Sequence, residues 1–193
     1  MVQLCLVRFG APVHLYETHL AVAETTASQA FYTQVVDLEF AHRDLTRDIV
    51  FLWAGDQRRS MLGLWGPSTS YGSDFHKAHL AFAVSLEELL ASGERLRRSG
   101  VMCEDFSGKQ TNEPSVIGWM PSAQLYFRDP DGHSVEFIAL LDGEPDPSFI
   151  GSLSQWQRDL TRRCSEPRTF LIPSFECMRM SYLTRAVADL VSR

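Results

Sequence analysis

The 193-residue chain predicts an α+β fold built from a duplicated β-α-β-β-β module facing a cavity. Three observations carry that expectation. The segment His19-Leu20-Ala21-Val22-Ala23 returns as His79-Leu80-Ala81-Phe82-Ala83; each copy is followed by a helical pattern with N-cap residues; and the second half closes on a hairpin around Asp129-Pro130-Asp131-Gly132. Side chains alternate across an extended strand, so each copy presents His-Ala-Ala on one face and bulkier apolar groups on the other. An ordinary core strand would rarely keep an imidazole and strip its neighbours to methyl groups.

The elements follow in order. After the first His strand, Thr25-Thr26-Ala27-Ser28 offers N-cap residues, and Ala30, Phe31, Val35 and Leu38 recur at roughly helical spacing. Three short strands then read as 38–42, 49–54 and 60–65, separated by polar or Gly-containing breaks. After the second His strand, Ser85 with Glu88 three residues on forms a capping box. Leu86, Leu89, Leu90 and Leu96 continue the helix to a stop at Ser99-Gly100. A short strand is expected over 101–104, and the hairpin strands over 124–128 and 134–141. The intervening segment from about Phe106 to Ser122 reads equally as a substrate flap or as simple disorder. The module pair accounts for residues 14–142. Residues 143–193 read as a partly helical C-terminal extension, with helices near 153–162 and over about 175–191.

Composition excludes several classes. A formal charge of −6 disfavours a nucleic-acid or anionic-membrane partner, since both need a positive face. No apolar run approaches a membrane span, and Met1 to Phe9 shows neither a long hydrophobic stretch nor a cleavage pattern, so a cytoplasmic protein is expected. Cys5, Cys103, Cys164 and Cys177 are scattered with no C-x-x-C, which indicates reduced thiols and no zinc knuckle.

Which polar residues share the cavity follows from parity. If Val135 and Phe137 face the core, Ser134, Glu136 and Ile138 face the other way. A carboxylate in mid-strand is expensive to bury unless it meets a cation, at several kcal/mol or more. His19, His79 and Glu136 together make a two-His, one-carboxylate set suited to a divalent metal with open positions: Fe(II) is the usual inference, with Mn, Ni, Co or Zn allowed. His76 is an alternative to His79, although the neighbours of His79 match the first copy. His14, His42 and His133 read as surface or turn residues. Tyr126 either points into the cavity, where its hydroxyl reaches a bound ligand, or packs in the core with its hydroxyl at the rim. Arg128 stands beside the turn and is expected to be solvated. Trp53, Trp65 and Trp119 are candidates for an aromatic lining.

His19 with the helix carrying Phe31-Tyr32, then His79-Leu80-Ala81-Phe82, then the run from Tyr126 to Glu136 with its D-P-D-G-H-x-x-E core, resembles the vicinal oxygen chelate superfamily. That group includes glyoxalase I, fosfomycin-resistance thiol transferases, extradiol dioxygenases and bleomycin-resistance proteins. The resemblance covers about Tyr16 to Leu141. It implies that the paired βαβββ modules form a cupped mixed sheet around a divalent metal held by His19, His79 and Glu136. It also implies a homodimer, with modules pairing within or across chains, and a small-molecule substrate chelated through vicinal oxygens. Glyoxalase I carries a fourth ligand, usually a carboxylate, on the last strand of the first module, and here 60–65 offers no carboxylate, His or Gln. The fosfomycin enzymes have a Thr where this chain has Ala21, and their cationic clamp has only Lys109 and Arg128 as counterparts. The Y-x-R-x-P-x-G pattern of extradiol dioxygenases matches Tyr126 to Gly132, although most of those enzymes have four modules and an acid-base His with no counterpart placed here. A dioxygenase is therefore favoured slightly over a lyase or thiol transferase. The competing class is a non-catalytic drug-binding protein, whose members typically lack the metal triad.

Overall fold

In the computed structural model, residues 14–55 and 58–165 are described. The expected helix over 175–191, Cys5 and Cys177 lie outside them, as does the side chain of Cys164. The chain divides into two compact units: residues 14–78 together with Asp129–His133, and residues 79–128 together with 134–165.

In the first unit the order is β1 (Glu17–Ala21), α1 (Thr25–Gln34), β2 (Glu39–Asp44), β3 (Ile49–Ala54) and β4 (Ser60–Trp65). The sheet order is β1-β4-β3-β2, with β1 parallel to β4 and the remaining pairs antiparallel. Leu20, Val50, Leu52, Leu62 and Leu64 are buried on the face that α1 covers. Helix α1 differs from its expected apolar pattern: its buried residues are Thr25, Ser28 and Tyr32. Each meets a carboxylate, Thr25 Oγ1 donating to Asp48 (2.7 Å), Ser28 Oγ to Asp131 (3.1 Å) and Tyr32 Oη to Asp129 (2.9 Å). Hydrogen bonds thus fix where α1 docks, because a buried hydroxyl is costly unless paired. The N-cap is Glu24, whose carboxylate accepts from the Thr26 and Ala27 amides, one residue before the expected cap.

The second unit repeats this order. It comprises β5 (His79–Ala83), α2 (Leu86–Arg98), β6 (Ser115–Ile117), β7 (Ser122–Arg128) and β8 (Ser134–Leu140). Its sheet runs β5-β8-β7-β6 with β5 parallel to β8, the same topology as the first unit, and a further strand β9 (Ile150–Ser152) adds beyond β6. The Ser85–Glu88 capping box is present at the start of α2, and Gly100 takes φ +75° after its end. Two expectations are corrected. The strand expected over 101–104 is reduced to an isolated bridge at Glu104 against Tyr126 and Gln110, and the strand that pairs with β7 is β6, inside the segment expected as a loop. That segment is therefore partly tied into the sheet. Helix α3 (Leu153–Ser165) follows β9, near the helix expected at 153–162. Cys103 is buried and free.

The turn between β7 and β8 packs as part of the first unit. Gly132 has φ +82°, a conformation that favours glycine. Asp129 Oδ1 accepts from the amides of Asp131 (3.1 Å) and His133 (2.8 Å).

Candidate metal centre

Register places the expected site residues. In β7 and β8, Tyr126 stands directly opposite Glu136, and in β5 Ala81 is the neighbour of Glu136. Val135 and Phe137 are buried on the opposite, packed face, as parity requires. Glu136 is only 5% exposed, while the His79-Ala81-Ala83 face is open. His79 Nε2 lies 3.0 Å from Glu136 Oε2, and the His79 and Tyr126 rings are 6.0 Å apart. The second unit therefore brings His79, Glu136 and Tyr126 together.

Burial dominates the electrostatics of Glu136. Burial pushes its carboxyl above the ordinary range, while the hydrogen bonds and charge of His79, with the Tyr126 hydroxyl, act in the opposite direction. Burial also raises the Tyr126 phenol, with the Glu136 carboxylate adding to the effect, so Tyr126 remains a protonated donor at neutral pH. Arg128 is engaged elsewhere: its guanidinium pairs with Glu104 at 2.8 and 3.2 Å.

His19 lies in the first unit. Its Nε2 is 2.8 Å from Glu17 Oε1, and its ring packs against Trp65 (4.8 Å) and Tyr71 (5.5 Å). In the β1–β4 register His19 faces Gly63 and Ala21 faces Trp65. A Cβ at Gly63 would stand 2.7 Å from His19 Cδ2 and 3.0 Å from Trp65 Nε1, so only glycine leaves the imidazole where it is. Because Ala81 faces Glu136 in the other module, Trp65 occupies the position in the first module that Glu136 occupies in the second.

A different group, Asp129, Asp131 and His133, places its ligand atoms within 4.8 Å of one another, close enough to hold an ion. Its donors are already committed. His133 Nδ1 accepts from the Ala78 amide (3.0 Å) and Nε2 donates to the Ala21 carbonyl (2.8 Å), which leaves no free lone pair on the ring. Asp129 and Asp131 serve α1, the Ala23 amide and the turn. His133, expected at a surface or turn, is a turn residue but fully buried. Sequence reading missed this group because the partners of the three residues are remote in the chain. It missed Gln124 as well, 1% exposed and two residues from Tyr126 on the same strand.

Residues 13–137 match the family model described as the Glyoxalase/Bleomycin resistance protein/Dioxygenase superfamily. The chain belongs to this superfamily. Among solved structures of similar fold, an integron cassette protein from the mobile metagenome of a Halifax Harbour sewage outfall is 29% identical, with a TM-score of 0.56 over 66% of this chain and 98% of that one. A lactoylglutathione lyase from Agrobacterium tumefaciens is 25% identical, with a TM-score of 0.54 over 66% of this chain and 94% of that one. The oxidase ChaP-H2 is 22% identical, with a TM-score of 0.54 over 69% of this chain and 98% of that one, and supports the fold alone. No curated protein sequence matches the chain. Members of the superfamily typically bind a metal, and no helix among the described residues is long and apolar enough to cross a membrane.

Proposed function

We propose that the protein is a metal-dependent enzyme acting on a small molecule chelated through vicinal oxygens, with dioxygenase-type chemistry favoured. The buried Glu136, paired with a half-exposed His79 at the head of an open His-Ala-Ala face, is the observation that carries the reading. The donors fit the group. His79 Nε2 and Glu136 Oε2 converge to 3.0 Å, and an imidazole nitrogen beside a buried carboxylate oxygen is a donor set that would suit a divalent metal. His19 is the third ligand of the set, by its place at the head of the equivalent strand. A divalent ion held there would supply Lewis-acid binding of adjacent substrate oxygens. The chain's own residues do the rest. Ala81 and Ala83 leave room above the strand, Glu136 supplies the anionic ligand, and the protonated Tyr126 hydroxyl donates to a substrate oxygen.

The lyase alternative, represented by the 25%-identical relative, is disfavoured by Trp65. That residue stands where a fourth carboxylate ligand would be, so a base on the metal's first-module side is lacking. A homodimer is part of the proposal, supported by exposed apolar side chains that include Trp119, Leu140 and Ile150.

Metal analysis of the purified protein tests the reading. Near-stoichiometric divalent metal is expected in the wild type and in Asp131→Asn, and loss of it in Glu136→Ala. A native protein that cannot be loaded, or metal lost in Asp131→Asn and kept in Glu136→Ala, overturns it. With metal bound, aerobic oxygen-uptake assays on catechols against thiol-addition assays on fosfomycin separate the dioxygenase and transferase branches.

A further inference from the structure

His133 is completely buried, and both of its ring nitrogens bond main chain that is remote in sequence. Nδ1 accepts from the Ala78 amide (3.0 Å) and Nε2 donates to the Ala21 carbonyl (2.8 Å). An imidazole protonated on one nitrogen offers an acceptor and a donor on a rigid ring, with no torsion between them. Ala78 immediately precedes His79, the first residue of β5, and Ala21 ends β1, two residues beyond His19. His133 itself immediately precedes β8, three residues before Glu136. The strands that carry His19, His79 and Glu136 are thus all referred to one buried ring. That ring is firmly held. Phe75 packs on it with 5.3 Å between centroids, Asp129 Oδ1 accepts from the His133 amide (2.8 Å), and the Asp129 amide donates to the His133 carbonyl (3.2 Å). Both His strands are outermost in their sheets, so each has a ladder partner on one side only in its own sheet.

We propose that His133 is a positioning residue for the metal ligands: its imidazole, anchored on the Ala21 carbonyl, fixes the backbone at Ala78 and thereby the point from which His79 reaches the metal. The inference rests on the reading that His79 is a metal ligand. Only φ and ψ of Ala78 and φ of His79 lie between the bonded amide and the His79 side chain, and a working ligand set is held to within about 0.5 Å.

The test separates the two bonds. His133→Asn keeps an acceptor near the place of Nδ1 and loses the reach to Ala21, whereas His133→Gln keeps a donor near the place of Nε2 and loses the acceptor for Ala78. Each variant gives up one hydrogen bond, so a purely structural role predicts equal effects. Competition with a chromogenic chelator should show metal affinity weakened about tenfold or more in His133→Gln and by no more than about threefold in His133→Asn. Tyr32→Phe removes another buried bond of the same turn and touches neither Ala21 nor Ala78, so it should lower the thermal midpoint and leave metal affinity at the wild-type value. Unchanged affinity in His133→Gln, equal losses in the two His133 variants, or a loss in Tyr32→Phe that follows the thermal midpoint overturns the proposal. Where His133→Gln does not fold, Phe75→Ala decides, since it removes only a half-exposed ring from the imidazole. Severalfold weaker metal binding in that variant supports the proposal and unchanged binding overturns it. If the wild type takes no metal, the metal reading fails by itself, and the ring ¹⁵N signals of His79 in the metal-free protein decide the role of His133. They should move in His133→Gln and stay in His133→Asn; any other pattern overturns the proposal.

Discussion

At the scale of single residues, two positions that offer no ligand atom shape the candidate centre. Gly63 is required because His19 lies against its Cα: a Cβ there would meet the imidazole at 2.7 Å, inside any ordinary contact. Gly63→Ala is expected to shift His19 and weaken metal affinity about tenfold or more, measured by competition with a chromogenic chelator, with the thermal midpoint changed far less than the affinity. Trp65 is informative for the opposite reason, since it fills the place that its counterpart Glu136 fills in the other module. The gathering of His79, Glu136 and Tyr126 on one face is legible in the sequence through the repeat and strand parity together. Neither the pressure of Gly63 on His19 nor the pairing of Ala21 with Trp65 is legible, because both depend on which strand lies alongside β1 and in what register.

At the scale of elements, the two helices achieve the same docking by different chemistry. Helix α2 follows the sequence pattern, with Leu89 and Leu96 buried and a reciprocal Ser85–Glu88 cap. The amide and hydroxyl of Ser85 hold the Glu88 carboxyl below its ordinary value of 4.5. A depressed carboxyl stabilises the fold above the ordinary value and loses that contribution as pH falls through the folded one. Removing the cap hydroxyl in Ser85→Ala is expected to cost about 1 kcal/mol at pH 7, and the difference from wild type should shrink in acid denaturation curves taken below that range. Helix α1 instead buries Thr25, Ser28 and Tyr32 on carboxylates. Apolar periodicity misreads its inward face, since the sequence shows hydroxyls there and not the acids that receive them. Tyr32→Phe is expected to destabilise the protein by about 1–3 kcal/mol, because Asp129 Oδ2 loses its buried donor; urea unfolding measures the change. Strand β6 is hidden for a related reason: three residues are too short for alternation to register, and β6 is held by neighbours on both sides, β7 and β9.

At the scale of the whole molecule, the repeat is visible in topology as well as in sequence. Both sheets place the His strand parallel to the last strand of its module, and both leave a His-Ala-Ala face free of the covering helix. If the ligands are shared between two copies of the chain, His19→Ala and Glu136→Ala variants, each unable to hold metal alone, should regain one ion per heterodimer when refolded together, about one ion for every four chains of a randomly paired mixture. Metal analysis of the mixture checks this, and no recovery argues for sites completed within one chain. The turn Asp129–His133 bears on how such a repeat is inherited. Its side chains receive Tyr32, Ser28 and the amide of Ala23, and His133 donates to Ala21, yet it is encoded between the last two strands of the second module. A ribosome that has finished residue 78 has made every strand of the first sheet and Asp48, but not Asp129 and Asp131, two of the three carboxylates that receive its helix. The two modules look like interchangeable copies, but the gene cannot be cut between them to give two self-sufficient halves.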